Sequence, residues 1–194
     1  MIYPADKEYL NHAVSLLKEG EIIVYPTDTL YGFGVDATNC EAIKAVNILK
    51  CRTQPQSIVL ANISEIEKYA AVPPEIMTEI NKLLPGPYTV LLDKLTGINI
   101  SPLVTWNSDK IGIRIPDHPF PLSLVKESQL PITTTSINRH NKEPLNDVTQ
   151  IELDFPNVEI FEDHDLKNSL GSTIIDFTMK KPEVIRKGDG IFPL

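Results

Sequence analysis

The sequence predicts an α/β fold: one domain with a large mixed sheet flanked by helices. Two observations carry this reading. Short apolar runs bounded by Pro and Gly recur along the whole chain, and capped amphipathic stretches are interleaved with them. A third is negative: 194 residues, the length of one medium domain, show no internal repeat and no linker.

Residues 6–19 read as a helix, with Asp6 as cap, Gly20 as stop, and Leu10, Ala13, Val14 and Leu17 on one face. Residues 22–25 (IIVY) are a buried strand stopped by Pro26, and PTDTLYGFG then reads as a loop. A second helix starts near Asn39, carries Ala42, Ile43, Val46 and Leu49, and ends near Lys50-Cys51-Arg52. Residues 58–61 are a strand. Ser64 to Glu67 has the capping-box pattern of a short helix. Residues 73–84 form another, with Pro74 early and Pro85-Gly86-Pro87 as stop. Strands follow at 88–93, 111–115, 131–135, 172–177 and 183–187, with a helix over 118–127. The polar stretch 139–170 holds a short helix after Asp147 and a strand at 158–161.

Composition narrows the function. Hydrophobic residues make up 42% and charged residues 23%, ordinary for a soluble globular protein. Eighteen Lys and Arg against 26 Asp and Glu leave a formal charge of −8, which disfavours a general nucleic-acid coat. A local basic pocket for a small anion remains compatible with that charge. Cys40 and Cys51 are too few for a disulfide framework or a four-cysteine zinc site, and they fit a reducing, cytoplasmic setting. The N-terminal MIYPADKEYLNHA lacks a signal-peptide core, and no apolar run is long enough to span a bilayer.

Several motifs are absent: the Walker-type phosphate loop, the G-x-S-x-G elbow, and any His or Cys pair at metal-ligand spacing, so no protein-held metal is expected. Gly32-Phe33-Gly34-Val35-Asp36-Ala37 matches a permissive dinucleotide motif. The next helix begins only after Ala37, which is too late for a Rossmann turn.

Polar groups gather instead at strand ends. Pro26-Thr27-Asp28-Thr29-Leu30-Tyr31-Gly32 leaves a strand at its carboxyl end, where open α/β sheets bind ligands; a capped turn is the plainer alternative. Lys50 and Arg52 suit either a helix end or a phosphate clamp. Ser136 and Asn138 sit just past an expected strand end and can supply neutral donors. Arg114 is a charge inside an apolar strand, so it requires a partner or a ligand. Ser172-Thr173 opens one late strand and Arg186 closes the next. Together these polar and cationic groups suggest one anion-binding cleft inside an acidic protein.

Seven segments in order, PTDTLYGFG, Lys50-x-Arg52, PGPYT, GIRIPDHP, TTSIN, STIIDF and VIRKG, resemble the YrdC/TsaC family of threonylcarbamoyl-AMP synthases. The resemblance covers residues 7–190 as a single YrdC-like domain. It implies a twisted mixed sheet flanked by helices around a positively charged cavity. The implied reaction joins L-threonine, bicarbonate or CO₂, and ATP into L-threonylcarbamoyladenylate and pyrophosphate, with Mg²⁺ carried by the nucleotide. A downstream tRNA-modifying threonylcarbamoyl transferase complex would use the product on tRNAs that read ANN codons, with tRNA contact weak or indirect and no membrane involved.

By motif match the implied catalytic residues are Lys50, Arg52, Ser136 and Asn138. The implied substrate-binding residues are Thr27, Tyr31, Arg114, Thr134, Ser172 and Arg186. The chain departs from the family pattern at Cys51, Thr53, Ile137 and His140-Asn141, and SIVLAN lacks the family's histidine. A non-catalytic RNA-binding or ribosome-assembly module, or a carbamoyl-transfer paralogue, stays open as an alternative. Retention of all four tetrad residues favours the enzyme.

Overall fold

A computed structural model describes residues 1–51, 53–138, 142–166 and 168–192. Its strands are β1 (Ile2–Pro4), β2 (Ile23–Tyr25), β3 (Gly32–Gly34), β4 (Ser57–Val59), β5 (Ala70–Ala71), β6 (Tyr88–Lys94), β7 (Lys110–Arg114), β8 (Ile132–Ser136), β9 (Glu159–Glu162), β10 (Thr173–Asp176) and β11 (Glu183–Arg186). The α-helices are α1 (Leu10–Glu19), α2 (Cys40–Leu49), α3 (Pro74–Ile80), α4 (Pro102–Thr105), α5 (Pro119–Ser128) and α6 (Val148–Asp154). The sheet runs β1-β9-β2-β3-β8-β4-β7-β6-β10-β11, with β5 beside β6. It is mixed: β9 lies parallel to β1 and β2, β4 to β7, and β6 to β10, while the other pairs are antiparallel.

Period-two alternation sorts the strand side chains between the faces. Val24, Ile58, Ile113, Ile160 and Ile175 point to a large cluster that takes in Ala42, Ile43 and Val46 of α2. Their neighbours Ile23, Tyr25, Val59 and Phe161 point the other way, onto Ala13 and Leu17 of α1 and Phe120 and Leu124 of α5. On that second face α1 and α5 cover β9, β2 and β4. The same face of β7, β6 and β10 carries Gly112, Arg114, Thr89 and Ile174, and there a cavity opens.

Local chemistry explains the boundaries and their departures from the sequence reading. Asn39 accepts the N–H groups of Glu41 and Ala42 and caps α2, as its position implies. Gly20, with φ of +85°, ends α1 in the left-handed region. The start of α1 differs: Asp6 accepts from the N–H groups of Glu8 and Tyr9, closing a separate turn, and the helix begins only at Leu10. The capping box at Ser64 does not form. A 3-10 helix runs over Ile63–Lys68 after Asn62, and Glu65 accepts the Ala61 N–H instead. The helix expected over 73–84 stops at Ile80, followed by turns.

The largest correction is β3. PTDTLYGFG is not loop throughout, because Gly32-Phe33-Gly34 pairs antiparallel with β2 and β8. A Cβ at Gly34 would lie 2.5 Å from the Tyr25 ring, so the glycine admits that ring across the strand. Between them Phe33 packs edge-on against Phe155, with centroids 5.0 Å apart.

Candidate functional site

The cavity has a volume of about 310 Å³ and is lined from six strands and the loop between β2 and β3. Its polar wall includes Thr29, Ser57, Thr89, Thr134, Ser136 and Ser172, and its cations are Arg114 and Arg186. Ser57 and Thr134 face each other across β4 and β8, and Gly112 lies beside Ser57 on β7. A Cβ at Gly112 would come within 2.6 Å of Ser57 Oγ. The bare glycine therefore leaves that hydroxyl its place in the wall.

Arg114 is buried, and burial lowers its pKa, with the Asp28 carboxylate opposing that shift. Its Nη2 donates to Asp28 Oδ1 at 2.6 Å and to Thr29 Oγ1 at 3.0 Å. The pair is 8% exposed on each side. Among the described residues, Arg114 Nε, Asp28 Oδ2 and Gln56 Oε1 are buried polar atoms without a hydrogen-bond partner. Such atoms are costly to leave unmet, and two of them, on Arg114 and Gln56, belong to residues that line the cavity. The Arg114 partner expected from its apolar strand is thus Asp28, and the Arg114 side chain also lines the cavity.

Arg186 reaches back across β10. Its Nη2 donates to the Ser172 carbonyl at 2.8 Å and to Ser172 Oγ at 3.1 Å. Burial and then the Arg114 charge lower its pKa, which places two cations within one electrostatic neighbourhood. Ser172 Oγ also bonds Thr89 Oγ1 at 2.7 Å.

Lys50, Ser136 and Asn138 come together at the ends of α2 and β8. Lys50 Nζ donates to Asn138 Oδ1 at 2.9 Å and to the Ser136 carbonyl. Ser136 Oγ donates to the same Asn138 oxygen at 3.1 Å, and Asn138 Nδ2 donates to the Lys142 carbonyl at 2.9 Å. Lys50 Nζ also lies 5.7 Å from the centroid of the Phe33 ring. Ser136 lines the cavity; Lys50 and Asn138, 2% and 8% exposed, stand behind it. Arg52 and His140-Asn141 fall outside the described residues.

The remaining sequence-derived candidates divide. Thr134 lines the cavity. Thr27 does not: it is fully buried under the loop, where Oγ1 donates to the Leu30 carbonyl at 2.8 Å. Tyr31 forms part of the wall, and its hydroxyl is turned away, bonded on both sides to the Asp163 backbone. Burial pushes the Tyr31 pKa up to about 12, so the phenol is neutral at physiological pH. Sequence reasoning missed Ser57, Thr89, Gln56 and Thr29. Ser57 and Thr89 alternate with core residues, a pattern shared by any solvent-facing strand side. Among the described residues no group of three His, Cys, Asp or Glu side chains could hold a metal ion, and no helix is long and apolar enough to cross a membrane.

A family model named for Sua5, YciO and YrdC, and described as telomere recombination, matches residues 15–188. The chain belongs to the Sua5/YciO/YrdC family. A Methanocaldococcus jannaschii relative is 36% identical over 202 residues, covering 100% of this chain and 93% of its own length. A Bacillus subtilis relative named threonylcarbamoyl-AMP synthase is 36% identical over 133 residues, 67% of this chain and 38% of its own. The crystal structure of Pyrococcus abyssi Sua5 complexed with L-threonine matches with a TM-score of 0.88 at 26% identity, covering 97% of this chain and 57% of that one. The chain therefore spans well under two thirds of the length of these last two Sua5/YciO/YrdC proteins.

Proposed function

We propose that this chain makes L-threonylcarbamoyladenylate and pyrophosphate from L-threonine, bicarbonate or CO₂, and ATP, with residues 7–190 as its catalytic unit. The observation that carries the reading is a cavity lined by Arg114 and Ser136, with Lys50 and Asn138 hydrogen-bonded to Ser136 directly behind its wall. It is supported by a relative named threonylcarbamoyl-AMP synthase and by a structural neighbour that holds L-threonine.

The chemistry demands this mixture of groups. The threonine nitrogen adds to CO₂ and loses a proton, giving a carbamate. A carbamate oxygen then attacks the α-phosphorus of ATP, and the bond from that phosphorus to the pyrophosphate oxygen breaks. Both reactants are anions, so cations must offset their repulsion and stabilise the leaving pyrophosphate. Arg114, fixed by Asp28 and lining the cavity, takes the threonine carboxylate. Ser172 and the Tyr31 wall face the amino acid, with Thr27 holding the loop from beneath. Thr134 and Arg186 face the nucleotide.

At the end of β8 a phosphate oxygen replaces the Ser136 carbonyl as acceptor for Lys50, with Ser136 and Asn138 orienting it. Arg52, two positions along from Lys50 in the sequence, adds a planar two-pronged donor. Mg²⁺ would arrive with ATP, held mainly by phosphates and water; among the described residues the wall offers mainly hydroxyls and guanidinium groups. In the cytosol the product passes to a tRNA-modifying threonylcarbamoyl transferase complex, with at most weak tRNA contact by this chain. The test is pyrophosphate release, which should require both L-threonine and bicarbonate. Equal turnover with L-leucine, or with no amino acid, would overturn the assignment.

A further inference from the structure

We propose that Asp163, gripped by His118, is a positioning residue that braces Tyr31 as a partition in the cavity wall. The inference rests on the reading of the cavity as the amino-acid and nucleotide site, and it assigns a role to the histidine of the GIRIPDHP segment.

Tyr31 is 3% exposed and packs in the core cluster, and its polar end carries a separate anchor. Its ring borders the cavity on one side and, on the other, a second hollow of about 300 Å³ beside Asn146, Asp147 and Glu162. Packing holds the ring, and its hydroxyl supplies a further anchor. It accepts the Asp163 N–H and donates to the Asp163 carbonyl, both at 3.0 Å. The Tyr31 N–H, donating to Asn146 Oδ1 at 3.2 Å, secures the backbone end.

That anchor is only as firm as the loop after β9 that carries it, and both oxygens of the Asp163 side chain are held. Oδ1 accepts the Asp165 N–H at 2.9 Å, and Oδ2 lies 2.9 Å from His118 Nε2. His118 is itself fixed as the cap of α5, with Nδ1 accepting the Phe120 N–H at 3.2 Å. An accepting Nδ1 puts the imidazole proton on Nε2, aimed at Asp163. The chain of contacts therefore runs from α5 through His118 and Asp163 to the Tyr31 hydroxyl. Among these, Tyr31 lines the cavity; His118 and Asp163 act through it.

Fluorine NMR of the full chain labelled with fluorotyrosine tests this directly, with the Tyr31 resonance assigned from Tyr31→Phe. Asp163→Ala should move or broaden that resonance, His118→Ala should do the same, and Asp163→Asn, which keeps an acceptor for His118, should leave it in place. Asp163→Ser serves the same purpose if the alanine variant does not fold. In assays, Asp163→Ala should raise the KM for L-threonine about tenfold with little change in kcat. That increment should vanish in a Tyr31→Phe background, where no hydroxyl remains to brace. An unmoved Tyr31 resonance in folded Asp163→Ala overturns the proposal, as does a moved resonance with an unchanged KM. A wild-type protein without synthase activity would sink the functional reading, and the resonance would still decide the brace.

Discussion

Lys50 Nζ lies 2.9 Å from Asn138 Oδ1, although 88 positions separate the two residues in the chain. The contact follows from the topology. β3 pairs with β8, and α2 follows β3 with its apolar face in the core below, so the end of α2 arrives at the end of β8. The Lys50 stem reaches there past Phe33, and its ammonium closes on Asn138 and the Ser136 carbonyl. The fold thus gathers Lys50, Ser136 and Asn138 without any glycine-rich loop.

Lys50→Met keeps the stem and removes the donors. We expect a rate loss of about 100-fold or more, because a charge-assisted contact at the transferring phosphoryl group is lost. Stability should fall by about 1–3 kcal/mol, since buried acceptors on Asn138 and Ser136 lose their donor. Product formation and urea unfolding on the same protein measure both. A stable, fully active variant would remove Lys50 from the site.

Arg52 separates charge from shape. Arg52→Lys preserves the charge but loses the planar fork, so most activity should go, and Arg52→Ala should lose slightly more. A contact of about 2–4 kcal/mol in the transition state corresponds to roughly 30- to 1000-fold in rate. The melting temperature should hardly move, because a cation at a helix end contributes only about 0.3–1 kcal/mol. Wild-type turnover in Arg52→Ala, with only a small drop in melting temperature, would reduce the residue to a helix-end charge.

The Arg114–Asp28 pair is buried on both sides, so removing one partner strands the other. Asp28→Asn should destabilise the fold by about 3 kcal/mol. Denaturant midpoints that match wild type would show that Arg114 is solvated, contrary to its place in the wall.

Acid sensitivity should trace in part to Asp176. Burial alone would raise its pKa, but hydrogen bonds from Lys110 and Thr178 outweigh that and hold the carboxyl below its ordinary value. A depressed folded-state pKa stabilises fully above the unfolded value of about 4, and the contribution disappears as pH falls through the folded value. Asp176→Asn should therefore flatten the acid limb of stability against pH while lowering stability at neutrality. Urea midpoints from acid to neutral pH measure this; an unchanged acid limb would assign the sensitivity elsewhere.

Legibility in the sequence followed locality. Asn39 before an apolar face announced α2, and the alternation around Arg114 announced both a strand and an unusual charge. β3 was hidden because Gly32-Phe33-Gly34 has almost no strand propensity; its pairing depends on the Tyr25 ring lying over Gly34 and on two neighbours far along the chain. Asp28 as the Arg114 partner, 86 positions away, left no local trace. Ser57 and Thr89 look like residues of a solvated strand face, and only the layering of α1 and α5 over half the sheet turns them inward to a cavity. The Tyr31 hydroxyl bonds the Asp163 backbone, 132 positions away, so that contact left no mark on residue type.

The most direct measurement is mass spectrometry of the purified chain incubated with ATP, L-threonine and isotopically labelled bicarbonate. The account predicts a threonylcarbamoyl adenylate whose carbamoyl carbon carries the label, formed together with pyrophosphate and absent when any one substrate is omitted. No adenylate under these conditions, or a product whose carbamoyl carbon comes from carbamoyl phosphate, would contradict it.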